Sequence, residues 1–242
     1  MEFIPIKTRP LLPPKDDIFQ VFDTYVSNVQ ENDIIFITSK IIAIHQWRCR
    51  EKTETTKKDL IKEEADKRII SDVVPWKDIY LTIKDNILIP SAGIDESNAN
   101  GYYILRPNRL SSISKEIYNY FQKKYNITNL WIIITDSTTR PLKWWVVGIG
   151  IYSYGIFPIL DKRGDKDIFW KKLEITQINV IDALSPMAVY LMWEWAECTP
   201  IVIWRNIPGI TYTQEDSYKT CTIPPEEDLY KDFLTPLMNK IW

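Results

Sequence analysis

The chain is poor in glycine, histidine and cysteine, and it carries almost no net charge. Its one His and three Cys show no zinc-ligand spacing, so neither a zinc centre nor a Ser-His-Asp hydrolase is supported. The odd number of cysteines also argues against a secreted disulfide scaffold. A net charge of −2 without a basic stripe makes nucleic acid a poor candidate partner.

Long apolar runs are missing as well. The uncharged stretch at residues 144–160 is shorter than the ~20 apolar residues that a membrane-spanning helix needs, and it contains Pro158. Paired core strands explain this stretch better. Because no secretory signal pattern opens the chain, we expect a cytoplasmic protein without membrane association.

Glycine is also scarcer than tryptophan, with 7 residues against 10. At the usual usage of ~7%, a chain of this length would contain roughly 17 glycines. Glycine supplies the left-handed backbone and the close approaches that tight loops require. The deficit is therefore a property that any account of this fold has to explain.

Two short segments carry isolated carboxylates in polar contexts suited to a metal ion. Asp95 lies within residues 91–98, where Gly, Asp, Ser and Asn cluster without apolar periodicity and predict a loop. Asp136 follows the apolar run at residues 130–134, which predicts a buried strand. Ligands of open α/β sheets bind at the carboxyl ends of strands, so this is a favourable position for a binding residue.

The rest of the chain predicts an irregular mixture of helices and strands around a substantial core. Helical spacing of apolar residues marks 18–29 and 111–125, an apolar run marks a strand at 34–37, and 79–89 predicts a hairpin. The remaining predicted elements are a solvated helix within 53–68, strands within 146–159, a helix at 179–193 interrupted by Pro186, and a short helix near 226–240. This order predicts an α+β fold with mixed sheets packed against helices.

The two acidic segments belong to a series of motifs in a fixed order along the chain. The other motifs are residues 4–10 (IPIKTRP), 35–40 (IFITSK), 160–167 (LDKRGDKD), 173–176 (LEIT), 182–184 (DAL), 191–194 (LMWE) and 200–203 (PIVI). In this order they resemble the coenzyme F(420)-0:L-glutamate ligase family. The resemblance implies a γ-glutamyl ligase-like domain at 1–205, a divergent C-terminal extension at 206–242 packed on the same domain, and an intertwined homodimer.

The family forms γ-glutamyl amide bonds with a nucleoside triphosphate. The resemblance therefore implies a carbon–nitrogen ligase of the acid–amino-acid type, dependent on GTP or ATP. It would add L-glutamate to a carboxylate acceptor, a coenzyme F(420) precursor or a folate, through an acyl phosphate. Phosphoryl transfer relies on positioning and charge neutralisation, for which two divalent ions, Mg²⁺ or Mn²⁺, are expected. The sequence has no Walker-type segment, so a P-loop site is excluded.

The resemblance assigns these roles to residues far apart in the chain. It implies that Asp95 and Asp136 hold one metal ion, and that Ser137 and Glu194 hold a second. Beside Asp95 and Asp136, Arg140 is a further catalytic candidate from its residue type, because a guanidinium can bind phosphate or carboxylate bidentately. Nucleotide contacts are expected from Lys7, Thr8, Arg9, Pro10, Thr38, Ser39, Asn98, Met192 and Glu194.

One position departs from the family pattern. The family typically places a lysine five residues after the serine at position 39, whereas this chain has Ile44. A cation that would neutralise phosphate charge is thereby missing. Lys40, Lys7 or Arg48 would have to replace it.

Other interpretations of the same residues remain open. Asp95 can serve as a turn-former that binds its own backbone, and Asp136 can serve as a strand-end cap. The alternative for the whole chain is a catalytically inactive homologue that keeps the fold and binds a nucleotide or another ligand.

Five tryptophans stand where the resemblance leads us to expect glycine: Trp47, Trp145, Trp170, Trp193 and Trp195. An indole supplies neither a positive φ nor a close backbone approach, so five independent replacements are hard to explain. Some bacterial lineages read the codon UGA as glycine, whereas others read it as tryptophan. Our hypothesis is that these five residues are UGA-encoded glycines, which the coding DNA tests directly.

Overall fold

The computed structural model describes residues 1–69, 79–193, 195–232 and 234. Its strands are β1 (Glu2–Ile6), β2 (Ile34–Thr38), β3 (Cys49–Glu51), β4 (Lys67–Ile69), β5 (Leu81–Lys84), β6 (Ile87–Pro90), β7 (Tyr102–Ile104), β8 (Trp131–Thr139), β9 (Val146–Tyr154), β10 (Ile159–Asp161), β11 (Gln177–Asn179) and β12 (Ile201–Arg205). Its α-helices are α1 (Ile18–Tyr25), α2 (Ser39–His45), α3 (Lys57–Glu64), α4 (Leu110–Tyr125) and α5 (Val180–Met192).

A five-stranded mixed sheet in the order β1-β12-β2-β8-β9 forms the centre of the protein. The pair β2–β8 is parallel and the other pairs in this sheet are antiparallel. Smaller sheets pair β10 with β11, β3 with β7, and β4, β5 and β6 in that order. The α+β class with mixed sheets is thereby confirmed, whereas the intertwined dimer stays a prediction.

The central sheet is buried on both faces, because successive side chains of a strand point to opposite sides. On β2, Ile35 and Ile37 join the core beneath α1, α2 and α4, while Ile34 and Phe36 join the core on the opposite face, beneath α5. Strands β8 and β12 divide in the same way. This explains why their sequences are continuous apolar runs rather than alternating ones.

Helix α5 lies directly on β9 because that strand carries two glycines. A Cβ on Gly148 would come within 2.6 Å of the Val189 Cβ, and one on Gly150 within 2.0 Å of the Ile181 Cγ2. We expected Pro186 to interrupt this helix, but α5 continues through it. The packing on β9 outweighs the loss of one backbone donor.

Most other predicted elements are confirmed with small shifts in their ends. Helix α4 fills 110–125, the hairpin is β5–β6 turning at Asp85 and Asn86, and α3 forms the middle of the charged 53–68 segment. Helix α1 is shorter than its apolar stripe, since Val26 is already extended although it is buried. Of the helix expected near 226–240, the structure describes residues 226–232 and 234; residues 226–230 form turns and a bend, and helical residues begin only at 231.

The chain after β12 packs against the central body. The Tyr152 hydroxyl donates to Asp216 at 2.6 Å, Ser217 Oγ donates to the Ile156 carbonyl, and the rings of Tyr152 and Tyr218 lie 4.6 Å apart. Where the ligase-like domain ends and an extension begins stays a prediction. Within the described ranges, no helix has both the length and the apolar character to cross a membrane.

Candidate active site

A cleft of about 520 Å³ opens beside the end of β2. Its walls come from the loop after β1, the junction of β2 and α2, the loop around Asp95, residues 135–137 of β8, and the chain from the end of α5 to β12. Backbone bonds hold these segments together, because the Thr8 N–H donates to the Cys198 carbonyl at 2.7 Å and the Thr38 N–H to the Pro200 carbonyl at 3.0 Å. Residues distant in sequence thus face one space.

Asp136 lies inside a strand rather than at its end, which corrects the sequence-based expectation. Strand β8 continues to Thr139 because it pairs with β9 beyond a bulge between Ile134 and Thr135. Its parallel partner β2 ends at Thr38, opposite Thr135. The Asp136 carboxylate therefore emerges just beyond the end of β2 and enters the cleft from the sheet itself.

The Asp136 carboxylate is only partly satisfied. Its Oδ1 accepts a bond from the Ser137 N–H at 2.8 Å, whereas its buried Oδ2 has no hydrogen-bond partner among the described residues. Burial raises the pKa of Asp136 above its ordinary value, and the Arg106 guanidinium and the Ser39 hydroxyl oppose this without cancelling it. A buried oxygen without a partner is where a bound cation or a substrate proton would be favoured.

Asp95 combines a turn-forming role with a charged one. Its Oδ1 accepts bonds from the Ser97 N–H at 2.7 Å and the Ser97 hydroxyl at 2.8 Å, which is the turn-former interpretation. Its Oδ2 forms an ion pair with the Lys40 Nζ at 2.6 Å. Burial acts to raise the pKa of Asp95, but Lys40 and Ser97 outweigh it, so the pKa is lowered. The carboxylate is therefore ionised and faces the cleft.

Arg106 is a functional candidate that sequence reasoning missed. Its side chain is fully buried, and none of its guanidinium nitrogens has a hydrogen-bond partner among the described residues. Its Nε lies 3.2 Å from Asp85 Oδ2. Arg106 and Asp136 both lie beside Gly93, because a Cβ built on that glycine would be 3.7 Å from Arg106 Cδ and 3.8 Å from Asp136 Oδ2. An arginine directly after the apolar pair Ile104–Leu105 was the available signal. A buried cation requires a counter-charge, which Asp136 and Asp85 provide.

Most of the predicted binding residues line the cleft: Thr8, Arg9, Pro10, Thr38, Ser39, Asn98, Ser137 and Met192, together with Asp95 and Asp136. Lys7 and Arg140 are exposed and are absent from the described lining residues, so their roles stay predictions. Glu194 lies outside the described residues.

Lys40, Lys7 and Arg48 can be compared as replacements for the cation that Ile44 does not provide. Ile44 lines the cleft as an apolar residue, and so does Lys40. Arg48 is instead paired with Glu64 and with the Arg106 carbonyl. Of the three cations considered from the sequence, Lys40 is therefore the one in position.

The residues of the cleft meet part of what a divalent metal ion requires. No cluster of three or more His, Cys, Asp or Glu side chains arranged for a metal occurs in the part of the chain that the structure describes. Asp95 and Asp136 nevertheless offer hard carboxylate oxygens to the same cleft, and Asp136 Oδ2 has no other partner there. These two residues would hold a hard divalent cation, with the Ser137 hydroxyl as a neighbouring oxygen.

The chain after α5 brings two of the suspect indoles to the cleft, together with a carboxylate that the sequence analysis did not single out. Trp193 and Trp195 both line the cleft with ring centroids 5.2 Å apart, and the Asn98 side-chain amide donates to the Trp195 carbonyl. Glu197 lies beside them and accepts a bond from the Trp195 N–H at 3.3 Å.

A cleft that gathers two carboxylates, a lysine and several hydroxyls in a mixed α+β fold is a candidate enzyme active site. The family model described as F420-0:Gamma-glutamyl ligase matches residues 6–206. The chain therefore belongs to the F420-0:γ-glutamyl ligase family.

Similar curated proteins span most or all of the chain. Coenzyme F420:L-glutamate ligase of Methanosarcina barkeri is 28% identical, covering 99% of this chain and 98% of that protein. The Methanosarcina mazei protein of the same name is 30% identical at the same coverage. The Methanocaldococcus jannaschii protein is 34% identical over 64% of this chain and 61% of its own length.

Proposed function

We propose that this protein is a nucleotide- and divalent-metal-dependent γ-glutamyl ligase that adds L-glutamate to a coenzyme F(420) precursor. The family and the names of its relatives support the reaction class. The observation that carries the proposal is the convergence of Asp95 and Asp136, distant in sequence, on one cleft that also contains Lys40.

Amide formation between two carboxylate-bearing molecules needs one carboxylate to be activated. In the proposed reaction the acceptor carboxylate attacks the γ-phosphorus of GTP or ATP, the bond to the β-phosphate oxygen breaks, and an acyl phosphate forms. The glutamate amine then attacks the acyl carbon, loses a proton and displaces phosphate. A divalent cation held by Asp95 and Asp136 would supply neutralisation of the triphosphate charge.

The chain's own residues have to bind and orient the anionic groups. The Lys40 ammonium lies at the cleft surface, where it can leave Asp95 and contact a phosphate oxygen. Hydroxyl groups of Thr8, Thr38 and Ser39 line the same space as further donors. In this mechanism catalysis comes from positioning and charge neutralisation rather than from a protein nucleophile.

The direct test is a reaction with glutamate, Mn²⁺ or Mg²⁺, and either GTP or ATP, analysed by mass spectrometry. We expect glutamyl addition to the coenzyme F(420) precursor, and a parallel arm with reduced folate tests the other acceptor class. Addition to folate alone would overturn the acceptor assignment. Nucleotide-induced stabilisation without any product would instead favour an inactive binding homologue, which the two indoles in the cleft would explain.

A further inference from the structure

Four tryptophans adopt a backbone conformation that bulky L-residues avoid. The φ angle is 60° at Trp47, 64° at Trp145, 67° at Trp170 and 61° at Trp193. Only a few per cent of non-glycine residues have positive φ, mainly Asn, Asp and His. Of the ten tryptophans two lie outside the described residues, so four of the remaining eight have this rare geometry.

Trp47 occupies the glycine position of a helix-terminating motif. Helix α2 ends with Gln46 as its C-cap. The Arg48 N–H then donates to the Ala43 carbonyl at 2.9 Å, and the Trp47 N–H donates to the Ile44 carbonyl at 3.1 Å. This pair of bonds defines a Schellman motif, whose left-handed residue is usually glycine. Here it is a tryptophan with 58% of its surface exposed.

Trp193 has the most restrictive geometry of the four. Its φ of 61° is combined with a ψ of −177°, directly after the last residue of α5. This region of backbone space is accessible essentially to glycine alone, because a Cβ collides with the neighbouring peptide. The Trp193 N–H donates to the Val189 carbonyl at 3.0 Å, so the helix end fixes this conformation.

Trp145 and Trp170 lie at the ends of turns. The Trp170 N–H donates to the Asp167 carbonyl at 3.0 Å, which makes Trp170 the fourth residue of that turn, where glycine is favoured. Trp145 follows the turn after β8 and precedes the first residue of β9. Both side chains are mostly exposed, at 67% and 76% for Trp145 and Trp170.

Three other tryptophans of the chain have ordinary backbone geometry. Trp131 and Trp204 are buried in the central sheet, with 0% and 8% of their surface exposed. Trp144 is as exposed as its neighbour Trp145 but is not among the residues with positive φ. The unusual geometry therefore follows particular positions and is not a general property of tryptophan in this protein.

We infer that the working protein carries glycine at positions 47, 145, 170 and 193, and that the printed tryptophans arise from UGA codons that its source reads as glycine. This inference stands on backbone geometry and does not depend on the proposed reaction. It extends to position 195 only through the family pattern, since the residue before Trp195 lies outside the described residues. The same replacement at 47, 145, 170 and 193 would raise the glycine count from 7 to 11.

The consequence for the cleft does rest on the proposed function. Trp193 and Trp195 both line the cleft. Glycine at 193 would remove an indole from the region where a triphosphate has to enter. The cleft of the working protein would therefore admit a nucleotide more readily than the chain as printed.

The gene and the native protein provide the first test. UGA at codons 47, 145, 170 and 193, with glycine at these positions in peptides from the source cells, would support the inference. UGG codons at these positions, or tryptophan in the native peptides, would overturn it.

Stability provides an independent test. The combined variant Trp47→Gly, Trp145→Gly, Trp170→Gly and Trp193→Gly should raise Tm by about 2 °C or more per substitution, since strain at each position is relieved. The matched control is Trp144→Gly, an exposed neighbour without positive φ, which should not raise Tm. An unchanged or lower Tm in the combined variant would contradict the inference.

Nucleotide binding tests the consequence for the cleft separately from the presence of glycine at these positions. With GTP or ATP and Mn²⁺ in large excess, the glycine form should show a Tm increase of several degrees that exceeds the increase in the printed form. A higher Tm without ligand, but no response to nucleotide, would support glycine at these positions and overturn the proposed function. Equal nucleotide responses in both forms would overturn the consequence for the cleft.

Discussion

The two sides of the cleft are built in different ways. One side, the strand wall, consists of residues 38–40 and 135–137 at the junction of β2, α2 and β8. The other, the loop wall, consists of residues 193 and 195–199 after α5. None of the strand-wall residues has a positive φ, whereas Trp193 and Cys198 in the loop wall do. Sequence and backbone therefore agree on the strand wall and conflict on the loop wall.

This difference indicates that the strand wall has the more rigid support. The strand wall rests on a sheet that is buried on both faces, and it holds Asp136 and Lys40. The loop wall depends on a helix end whose conformation suits glycine. We expect the strand wall to contribute catalytic groups and the loop wall to shape and admit the ligand.

The largest expected effect compares one carboxylate from each wall. Asp136→Asn should lower kcat by about 10³-fold or more, because it removes charge that the proposed cation requires. Glu197→Gln in the loop wall, the matched control, should cost less than about tenfold. Steady-state glutamyl transfer measures both. Equal losses in the two variants would contradict the division between the walls.

Asp136→Asn also has a predicted effect on stability. Because burial raises the pKa of Asp136, the folded state binds its proton more tightly than the unfolded state does. The ionised form therefore costs stability that grows as pH rises through the raised pKa. Without metal, the variant should have a higher Tm than the parent at neutral pH, and this difference should shrink towards acidic pH.

A second prediction tests the support behind the strand wall. Arg106→Met should reduce activity by about 10²-fold, since Asp136 loses the buried positive charge that favours its ionised form. The variant should also be destabilised, by about 3–5 kcal/mol, because removing one partner of a buried charge pair leaves the other charge uncompensated. Arg106→Lys keeps the charge and should recover part of the activity. Full activity in the methionine variant, measured at saturating metal, would exclude this role.

A third, smaller effect concerns Lys40. Lys40→Met should raise KM for the nucleotide by about tenfold with little change in kcat, because a phosphate-binding cation is lost. Asp95 loses its ion pair as well, so its lowered pKa should return towards the ordinary value. Lys62→Met, which removes an exposed ion pair with Asp59, is the control and should leave KM unchanged. A change in kcat alone would contradict the assignment.

The smallest effect on catalysis is expected from the packing beneath α5. Gly150→Ala places a Cβ against Ile181 and should destabilise the fold by about 1–3 kcal/mol. The substitution should displace the helix that leads into the loop wall, while the backbone pairing of residue 150 with Thr135 in the strand wall is kept. Ser153→Ala on the same strand removes a buried hydroxyl without a partner among the described residues and should be nearly neutral. Thermal unfolding measures both variants.

Local features of the fold were predictable where one pattern dominated. The apolar stripe of α4 and the turn residues Asp85 and Asn86 predicted their elements, since short-range propensity and burial agree there. The extension of β8 past Asp136 was not predictable, because it depends on pairing with β9 across a bulge. The continuity of α5 through Pro186 likewise depends on glycines in another strand.

The candidate site also combines residues that were predictable from motifs with contacts that were not. Asp95, Asp136, Thr38 and Ser39 were predicted from motifs and do line one cleft. The ion pair of Lys40 with Asp95 and the position of Arg106 behind Asp136 were not predicted, because each joins segments without any local signal.

The sequence by itself determined the α+β class, the family, and the residue types that could carry the chemistry. It also revealed the glycine deficit, although composition alone could not show which tryptophans were out of place. Only the tertiary structure decided which charges meet, since long-range strand pairing sets distances that no local pattern encodes. The same long-range constraints impose a backbone geometry at positions 47, 145, 170 and 193 that glycine adopts freely and tryptophan does not.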